Sequence, residues 1–234
     1  MIDNNKISKF AISVVENLQK NNFQAYLVGG CVRDALSGIE PKDFDIATDA
    51  EPEEIRKIFR NARIIGRRFK IVHIRFGREI IEATTFRAHH EARNQIADDV
   101  PRKRIKELDS AHSSSGMILR DNVYGNIDED ALRRDFTVNS LYYTVDNFEV
   151  LDFSSGLADM ESKQIRMIGD PEERYKEDPV RMLRALRFSA KLKFEIEEKT
   201  CEPINRLAPL LESISPARLF DESLKLLTGG DAVA

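Results

Sequence analysis

The chain has 234 residues, of which 41% are hydrophobic and 32% are charged, and its formal net charge is −4 at pH 7. This composition fits one large or two modest globular domains and argues against a general nucleic-acid-binding protein, although basic residues cluster locally. No apolar run approaches the roughly 20 residues needed to cross a bilayer, and the N-terminus lacks the basic-then-apolar layout of a secretion signal.

The first predicted elements are a helix, a strand and a glycine turn. Apolar residues at helical spacing over residues 6–20 predict an amphipathic helix. The apolar run Ala25–Val28 predicts a strand that ends in Gly29-Gly30, and a helical pattern that contains Arg33 follows. Because backbone N–H groups can contact a phosphate where a glycine turn opens a helix, the sequence predicts a phosphate-binding turn here.

Residues 42–46 form a second strand-like run that carries two carboxylates, Asp43 and Asp45. Side chains two residues apart on a strand share one face, so we expect these two carboxylates to point the same way. Neighbouring carboxylates repel unless a cation lies between them, and Mg²⁺ prefers carboxylate and phosphate oxygens. A magnesium site next to a phosphate-binding turn suggests nucleotidyl transfer.

The stretch LVGGCVRDALSGIEPKDFDIATDA, residues 27–50, resembles the signature of the class II tRNA nucleotidyltransferase and bacterial poly(A) polymerase family. The resemblance implies an α+β fold, in which a polymerase-beta-like nucleotidyltransferase head with a twisted mixed sheet precedes an all-helical neck. It implies that Gly29, Gly30 and Arg33 hold the triphosphate and that Asp43 and Asp45 bind two Mg²⁺ ions. One ion would activate the RNA 3′-hydroxyl and the other would steady the leaving pyrophosphate.

The rest of the predicted head alternates strands with helices. The segments are a helix from Pro52, strands over 71–76 and 79–86 that are joined at Gly77-Arg78, and a closing hairpin over 141–152. Residues 88–123 are polar and of mixed charge, which predicts a mobile loop. His89-His90 in this loop has no further His or Cys at ligand spacing, so a metal site there is not expected.

A second motif, RRDFTVNSLYY, begins at Arg133 and follows a helix that is acidic at its start and basic at its end. The motif is similar to a second motif of the family. The similarity implies that Arg134 contacts the nucleotide, that Asp135 belongs to the active site and that Thr137 and Asn139 lie near the ribose.

A third carboxylate would complete the metal site, and two residues are candidates. Glu82 is in a strand that could lie beside Asp43 and Asp45, and Asp135 is in the second motif. The sequence leaves both open.

From about residue 156 the pattern changes from strand to helix, which predicts a head over residues 1–155 and a helical neck over 156–234. In the family further helical domains follow, so we expect a C-terminal body and tail to be absent from this chain. Four charged side chains of the neck recur every three residues and share one helix face: Asp178, Arg181, Arg184 and Arg187. Three guanidinium groups in one row are unfavourable without anions, and a triphosphate would supply those anions.

The stretch that carries this row, EDPVRMLRALRF, resembles the base-recognition motif of the family. The resemblance implies that Asp178 and Arg181 form hydrogen bonds with the Watson–Crick edge of the incoming base. Arg184 and Arg187 would face the phosphates or support the site.

Several segments, among them residues 65–74, resemble the polyadenylating branch of the family. The predicted function is therefore template-independent addition of AMP from ATP to RNA 3′ ends. Two alternatives remain: CCA addition to tRNA with CTP and ATP, and an RNA- or nucleotide-binding fragment with little polymerase activity. The expected partners are ATP, Mg²⁺ and an RNA 3′ end, with no membrane and no identifiable protein partner. Cys31 and Cys201 are interpreted as reduced thiols of a cytoplasmic protein.

Overall fold

The computed structural model describes residue 2 and residues 6–66, 69–88, 110–112 and 118–229. The strands within these ranges are β1 (Ala25–Val28), β2 (Asp45–Thr48), β3 (Ala62–Ile65), β4 (Ile71–Phe76), β5 (Glu79–Thr85), β6 (Ser110–His112), β7 (Ile118–Asp121), β8 (Leu141–Tyr143), β9 (Val150–Asp152), β10 (Gln164–Ile165) and β11 (Glu195–Ile196). The α-helices are α1 (Lys9–Lys20), α2 (Gly30–Leu36), α3 (Pro52–Ile58), α4 (Ile127–Arg133), α5 (Gly156–Ser162), α6 (Pro171–Glu177), α7 (Val180–Leu192), α8 (Glu198–Leu207) and α9 (Pro216–Thr228).

Seven of these strands form one mixed sheet in the order β3-β4-β5-β2-β1-β8-β9. The β2–β5 pair is parallel and the other neighbours are antiparallel. The register sets Val28, the last residue of β1, opposite Asp45, the first residue of β2. It also sets Asp45 opposite Glu82 of β5. The end of β1, the start of β2 and the middle of β5 therefore lie side by side.

Helix α1 covers one face of the sheet with Ala11, Val14, Val15 and Leu18, which are all fully buried. Its N-terminus is capped by Ser8, whose side chain accepts hydrogen bonds from the first backbone N–H groups of the helix. The periodicity of the sequence predicted this amphipathic helix, and the structure confirms it.

The helical half of the chain is joined to the sheet by a shared core. Phe136, which precedes the short 3₁₀ segment Thr137–Asn139, and Val138 within it pack with Met182, Ala185 and Phe188 of α7. Thr137 Oγ1 donates to Asp159 Oδ2 at 2.7 Å, and Arg166 Nε donates to the same carboxylate at 3.1 Å. The apolar contacts and the bond between Thr137 and Asp159 link the two halves.

The strand predictions over residues 71–86 and 141–152 are confirmed, with antiparallel pairing in both hairpins. Three features differ from expectation. Strand β3 was not predicted, the paired strands β6 and β7 lie within a region interpreted as a loop, and a short parallel pair, β10–β11, lies in the helical half. Residues 89–109 and 113–117, including His89-His90, lie outside the described residues, and the boundary at 155/156 remains a prediction.

Both cysteines are free thiols, as the sequence predicted. The Cys31 thiol donates to Val28 O at 3.3 Å, and burial raises its pKa to about 12. Of the helices that the structure describes, none combines the length and the apolar character that a membrane span requires.

The start of α5 approaches the 3₁₀ segment so closely that only glycine fits at residue 156. A Cβ at Gly156 would lie 2.3 Å from the Thr137 carbonyl oxygen. We expect Gly156→Ala to lower the free energy of unfolding by about 1–3 kcal/mol, because the backbone of one element must move. Chemical denaturation monitored by circular dichroism measures this change.

Gly38→Ala serves as the control. Its Cβ would meet open space, so the only expected penalty is about 1 kcal/mol for a φ of +75°. Equal penalties for the two substitutions would show that the contact between α5 and the 3₁₀ segment is not tight in solution.

Candidate active site

A cavity of about 1070 Å³ lies between the sheet and the helical half of the chain. Its lining includes the Gly29-Gly30 turn, Asp43, Asp45, Arg33, Arg134, Asp135, Asn139 and, from the helical half, Asp178, Arg181, Arg184, Arg187, Lys191, Arg218 and Glu222. The structure thus brings together residues that are as much as 200 positions apart in sequence, counted from Gly29 to Gly229.

The glycine turn meets the acidic strand and the second motif at one point. Gly29 has a φ of +78°, a conformation that side-chain-bearing residues rarely adopt. A Cβ at this position would lie 3.5 Å from Arg134 Nη1, 3.7 Å from Asn139 O and 4.0 Å from Asp45 Oδ2. A ligand that contacts the turn is therefore also within reach of Asp45 and Arg134.

Asp43 and Asp45 both line the cavity, although they do not lie in one strand as the sequence pattern predicted. The paired strand begins at Asp45, and Asp43 is an exposed residue in the bend before it, so the expectation that both lie in the strand was wrong. Phe44 is buried between them, and its carbonyl accepts a hydrogen bond from Glu82 N at 3.3 Å. This bond joins Phe44 to β5, and the carboxylates of Asp43 and Asp45 lie at the cavity edge.

The surroundings of Asp45 disfavour ionisation of its carboxyl group. Burial raises its pKa to about 6, and the negative charges of Glu82 and Asp43 add to the shift, whereas Arg134 opposes it. Like charges at this spacing disfavour ionisation in the absence of a cation. The carboxylate donor set consists of hard oxygen ligands, which is the type that Mg²⁺ takes.

The two candidates for a third carboxylate have different surroundings. Glu82 lies opposite Asp45 in the sheet, and its Oε1 is 3.0 Å from Nε2 of His73 on the next strand. Asp135 is half-buried and is bound by Arg184, whose Nε lies 2.6 Å from Asp135 Oδ2. Burial raises the pKa of Asp135, but the Arg184 charge and hydrogen bonds outweigh it and hold the pKa at about 2. Asp135 is therefore already paired with the Arg184 guanidinium group, whereas Glu82 is the candidate that lies next to Asp45.

The described residues contain no cluster of three or more carboxylate, His or Cys side chains that is arranged to hold a metal ion. A metal site here would consist of Asp43 and Asp45, with Glu82 close by, and the substrate would have to supply further oxygen ligands. Mg²⁺ commonly binds in this way, through one or two carboxylates together with phosphate oxygens.

The two arginines of the motifs are held rigidly by the protein. Arg134 donates from Nε to Tyr142 Oη at 3.0 Å and from Nη2 to Asp130 Oδ2 at 3.0 Å, which leaves Nη1 beside Gly29. Arg33 is buried and donates to Asp34 and to the side chain of Asn139. Arg33 therefore fixes α2 to the second motif. Thr137 is bonded to Asp159 and is not part of the cavity lining.

The three arginines of the row on α7 line the cavity, and each of them is bound to a carboxylate of the protein. Arg181 donates to Glu177 Oε2 at 2.8 Å, Arg184 is bound to Asp135, and Arg187 is bound to Glu222. The protein itself therefore supplies anionic partners for these arginines, and a triphosphate would add to them. Asp135 and Glu222 are 49 and 35 residues away in sequence from their arginine partners, and spacing along the chain does not reveal such pairs.

Helix α9 supplies a group that the sequence did not single out. Arg218 binds Asp178 through two hydrogen bonds, from Nη1 to Oδ1 at 3.0 Å and from Nη2 to Oδ2 at 2.9 Å. Arg218 and Glu222 are four residues apart with opposite charges, the spacing of an ordinary surface ion pair. No local signal distinguishes them from such a pair.

A second cavity, of about 300 Å³, shares Asp45, Arg87, Arg134 and Arg181 with the first and is also lined by Arg133. Burial lowers the pKa of Arg133 to about 9, and the charges of Arg87, Arg174 and Arg181 contribute. Asp45 thus lies between two connected spaces, and arginine side chains line both of them.

Residues 25–166 match the family described as "Poly A polymerase head domain", and residues 193–234 match "Probable RNA and SrmB- binding site of polymerase A". The first match covers more than half of the chain, and it fits the turn, acidic pair and second motif described above. The chain belongs to the poly(A) polymerase head-domain family, which confirms the resemblance found in the sequence.

Two curated relatives show how the chain compares within this group. It is 53% identical over 230 residues to "Poly(A) polymerase I" of Salmonella typhimurium, which covers 98% of the chain and 47% of the relative. It is 36% identical over 219 residues to a "CCA-adding enzyme" of Lactobacillus helveticus, which covers 94% of the chain and 50% of the relative. The chain spans about half the length of the curated relatives it matches.

A solved structure of similar fold is the Bacillus stearothermophilus CCA-adding enzyme in complex with CTP, with a TM-score of 0.76 and 31% identity. The match covers 95% of this chain and 49% of that chain. The expected α+β class, a nucleotidyltransferase head followed by helices, is thereby confirmed.

The raised pKa of Asp45 predicts how stability depends on pH in the absence of divalent cations. The folded-state pKa of Asp45, about 6, exceeds the ordinary value near 4, so folding favours the neutral carboxyl. The contribution of this group to the free energy of unfolding is present at low pH and is lost as the pH rises through 6. Asp45→Asn should therefore raise the free energy of unfolding at pH 8 by about 1–3 kcal/mol. The gain should shrink towards pH 4.

Urea denaturation in EDTA at pH 4, 6 and 8 measures the effect. Asp43→Asn, at an exposed position on the same cavity edge, is the matched control and should change stability by less than about 0.5 kcal/mol. An Asp45→Asn variant that is less stable than the parent protein at pH 8 would contradict the assigned burial and charge crowding.

Proposed function

We propose that this chain carries the catalytic head of a template-independent RNA adenylyltransferase, which adds AMP from ATP to RNA 3′ ends. The observation that supports this most directly is the shared position of the Gly29 turn, Asp45 and Arg134 around one point of the large cavity. The similarity to the poly(A) polymerase relative is greater than that to the CCA-adding relative, which favours ATP as the nucleotide.

In this proposal Asp43 and Asp45 hold two divalent metal ions, with Glu82 as the third carboxylate. When bound, one ion would activate the 3′-hydroxyl and the other would neutralise charge on the pyrophosphate, as in other two-metal sites. The Gly29-Gly30 turn lets the triphosphate approach the backbone, because no Cβ fills the space beside Asp45 and Arg134. Arg134 Nη1 then faces the same ligand.

The base would be read by Asp178 and Arg181 at the start of α7. A carboxylate accepts a hydrogen bond from the exocyclic amine that adenine and cytosine carry, and a guanidinium group donates to ring or carbonyl acceptors. Arg181 is held for this role by Glu177 Oε2 and by the Arg174 carbonyl at 2.7 Å. Arg184 and Arg187 are bound to Asp135 and Glu222, and we assign them to supporting the cavity wall next to the nucleotide.

Two further assignments belong to this proposal. The RNA 3′ end would reach Asp45 from the guanidinium-rich second cavity, where its phosphates find positive charge. A reduced environment such as the cytoplasm suits the free thiols of Cys31 and Cys201.

Incubation of the protein with a labelled short RNA, Mg²⁺ and one nucleoside triphosphate at a time tests the activity. A ladder of extended products with ATP alone is the expected result, since the proposed base contacts require an exocyclic amine and the relatives favour adenine. Short additions of defined length that need CTP would support CCA addition instead. Binding of RNA or nucleotide with no extension would support the binding-fragment alternative and contradict the proposal.

Asp43→Ala and Asp45→Ala should each reduce nucleotide transfer by at least about 10³-fold, because each removes a metal ligand from a site with few protein ligands. The fold should persist, since neither change removes a stabilising partner. Transfer rates in Mg²⁺ and far-ultraviolet circular dichroism measure the two effects. Asp49→Ala, which changes an exposed carboxylate outside the cavity lining, is the control and should retain transfer.

A further inference from the structure

We infer that Arg87 binds the last phosphodiester of the RNA, the one that precedes the 3′-terminal nucleoside, and thereby holds the reacting end in place. This inference rests on the proposed function, in which the RNA 3′ end reaches Asp45 through the second cavity. Arg87 lies two residues after the end of β5 at Thr85, and it lines both cavities, as Asp45 does. A phosphate bound by Arg87 would therefore lie where the path of the RNA meets the acidic edge.

The position of the Arg87 side chain is set by its backbone and by an aromatic ring. Arg87 N donates to Asp130 Oδ1 at 3.1 Å, and the next residue, Ala88, donates from its N to Val123 O at 3.0 Å. The guanidinium carbon lies 4.6 Å from the centre of the Phe69 ring. Such a cation–π contact holds the group in place and leaves the N–H donors in its plane available to a ligand.

The guanidinium group of Arg87 differs from the other guanidinium groups around the two cavities. Each of the others donates at least one hydrogen bond to an oxygen atom of the protein. In the part of the chain that the structure describes, the Arg87 guanidinium donates none and forms no ion pair. The negative charge of Asp130 acts on it, but Asp130 Oδ2 already accepts from Arg134 and Tyr142.

The charge of Arg87 is unfavourable as long as no anion binds it. Burial lowers the pKa of Arg87, Asp130 opposes the shift, and the charge of Arg134 adds to it. The charge of Arg87 in turn contributes to the lowered pKa of Arg133, which also lines the second cavity. A phosphate group would relieve this repulsion, and its oxygens match the planar donors of a guanidinium group.

The RNA backbone fits this position better than the triphosphate does. The atoms nearest to a Cβ at Gly29 belong to Arg134, Asn139 and Asp45, and not to Arg87. The guanidinium group beside the turn is thus that of Arg134, which we assign to the nucleotide. Arg87 stands at the junction with the second cavity, which leaves it to the other phosphate-bearing substrate.

The test measures RNA binding separately from extension, by fluorescence anisotropy of a labelled short RNA in Mg²⁺ without nucleotide. Arg87→Gln should weaken binding about tenfold, the loss expected for one hydrogen-bonded charge pair. The slope of log K against log salt concentration should become shallower by about 0.7, the contribution of one phosphate contact in a single strand. The dissociation constant for ATP, measured by calorimetry, should stay unchanged.

A neutral linkage identifies the phosphate that is bound. In the parent protein, a methylphosphonate in place of the 3′-terminal phosphodiester should weaken binding about tenfold more than one at the 5′-terminal linkage. Arg87→Gln should abolish this difference. Equal penalties at the two linkages in the parent protein, or a difference that persists in Arg87→Gln, would overturn the inference. Weaker ATP binding with unchanged RNA binding would also overturn it, because the triphosphate would then be the ligand.

Arg75→Gln is the matched control. Arg75 is an exposed residue of β4 in the same sheet, its Nε donates to Gly77 O at 2.9 Å, and it lines neither cavity. The substitution removes the same charge and should leave RNA affinity and the difference between the linkages unchanged. A loss as large as that in Arg87→Gln would mean that net charge alone controls binding, and would contradict the role of Arg87.

Thermal unfolding separates a binding role from a structural one. Arg87→Gln and Arg87→Met both remove a charge that other arginines repel, so both should melt close to the temperature of the parent protein. Arg87→Met also keeps an apolar contact with the Phe69 ring and replaces Arg87→Gln in the binding assays if that variant does not fold. Loss of folding in both would overturn the inference, because the fold itself would then require Arg87.

Failure of this inference and failure of the proposed function give different results. A parent protein that shows the difference between the linkages but never extends RNA contradicts the proposed function alone. A parent protein that extends RNA with ATP while Arg87→Gln keeps full RNA affinity contradicts the role of Arg87 alone.

Discussion

The register between β1 and β2 is the constraint on which the whole site depends. Because Val28 is opposite Asp45, the turn that follows β1 must lie beside the acidic start of β2. Gly29 then adopts a φ of +78° with Arg134 Nη1, Asn139 O and Asp45 Oδ2 all within 4.0 Å of where a Cβ would be. Any side chain at this position would occupy the space in which the turn and the carboxylate can meet a common ligand.

Charges around this point are separated into an acidic edge and a basic wall. Asp45 is crowded by Glu82 and Asp43, so the acidic edge is electrostatically unfavourable without a cation. The basic wall on α7 has anionic partners in the free protein. Asp135 pairs with Arg184, Glu222 pairs with Arg187, and Glu177 is shared between Arg181 and Arg174. A triphosphate with its metal would relieve the crowding on the acidic edge and add anions to a wall whose geometry is already set.

The helical half contributes more than a cover for the sheet. Phe136 and Val138 connect it to the second motif through a common apolar core, and Thr137 and Arg166 add polar bonds to Asp159. Helix α9 closes the cavity from the far side and carries the partner of Asp178. The orientation of groups at the start of α7 is thus determined by segments on both sides of it in sequence.

The sequence by itself determined the elements whose signals are local. Helical periodicity located α1, and alternation and turn residues located the hairpins over 71–86 and 141–152. The sequence also identified three groups of site residues, which the structure places at one cavity: the acidic pair, the glycine turn and the arginine row. Only the tertiary structure decided the pairing of charges. Arg184 with Asp135, Arg187 with Glu222 and Arg218 with Asp178 join residues 35 to 49 positions apart. The partners are defined by how α7 packs against α9 and against the second motif. Spacing along a chain fixes which side chains share a face of one element, whereas the partner across a cavity depends on the packing of several elements at once.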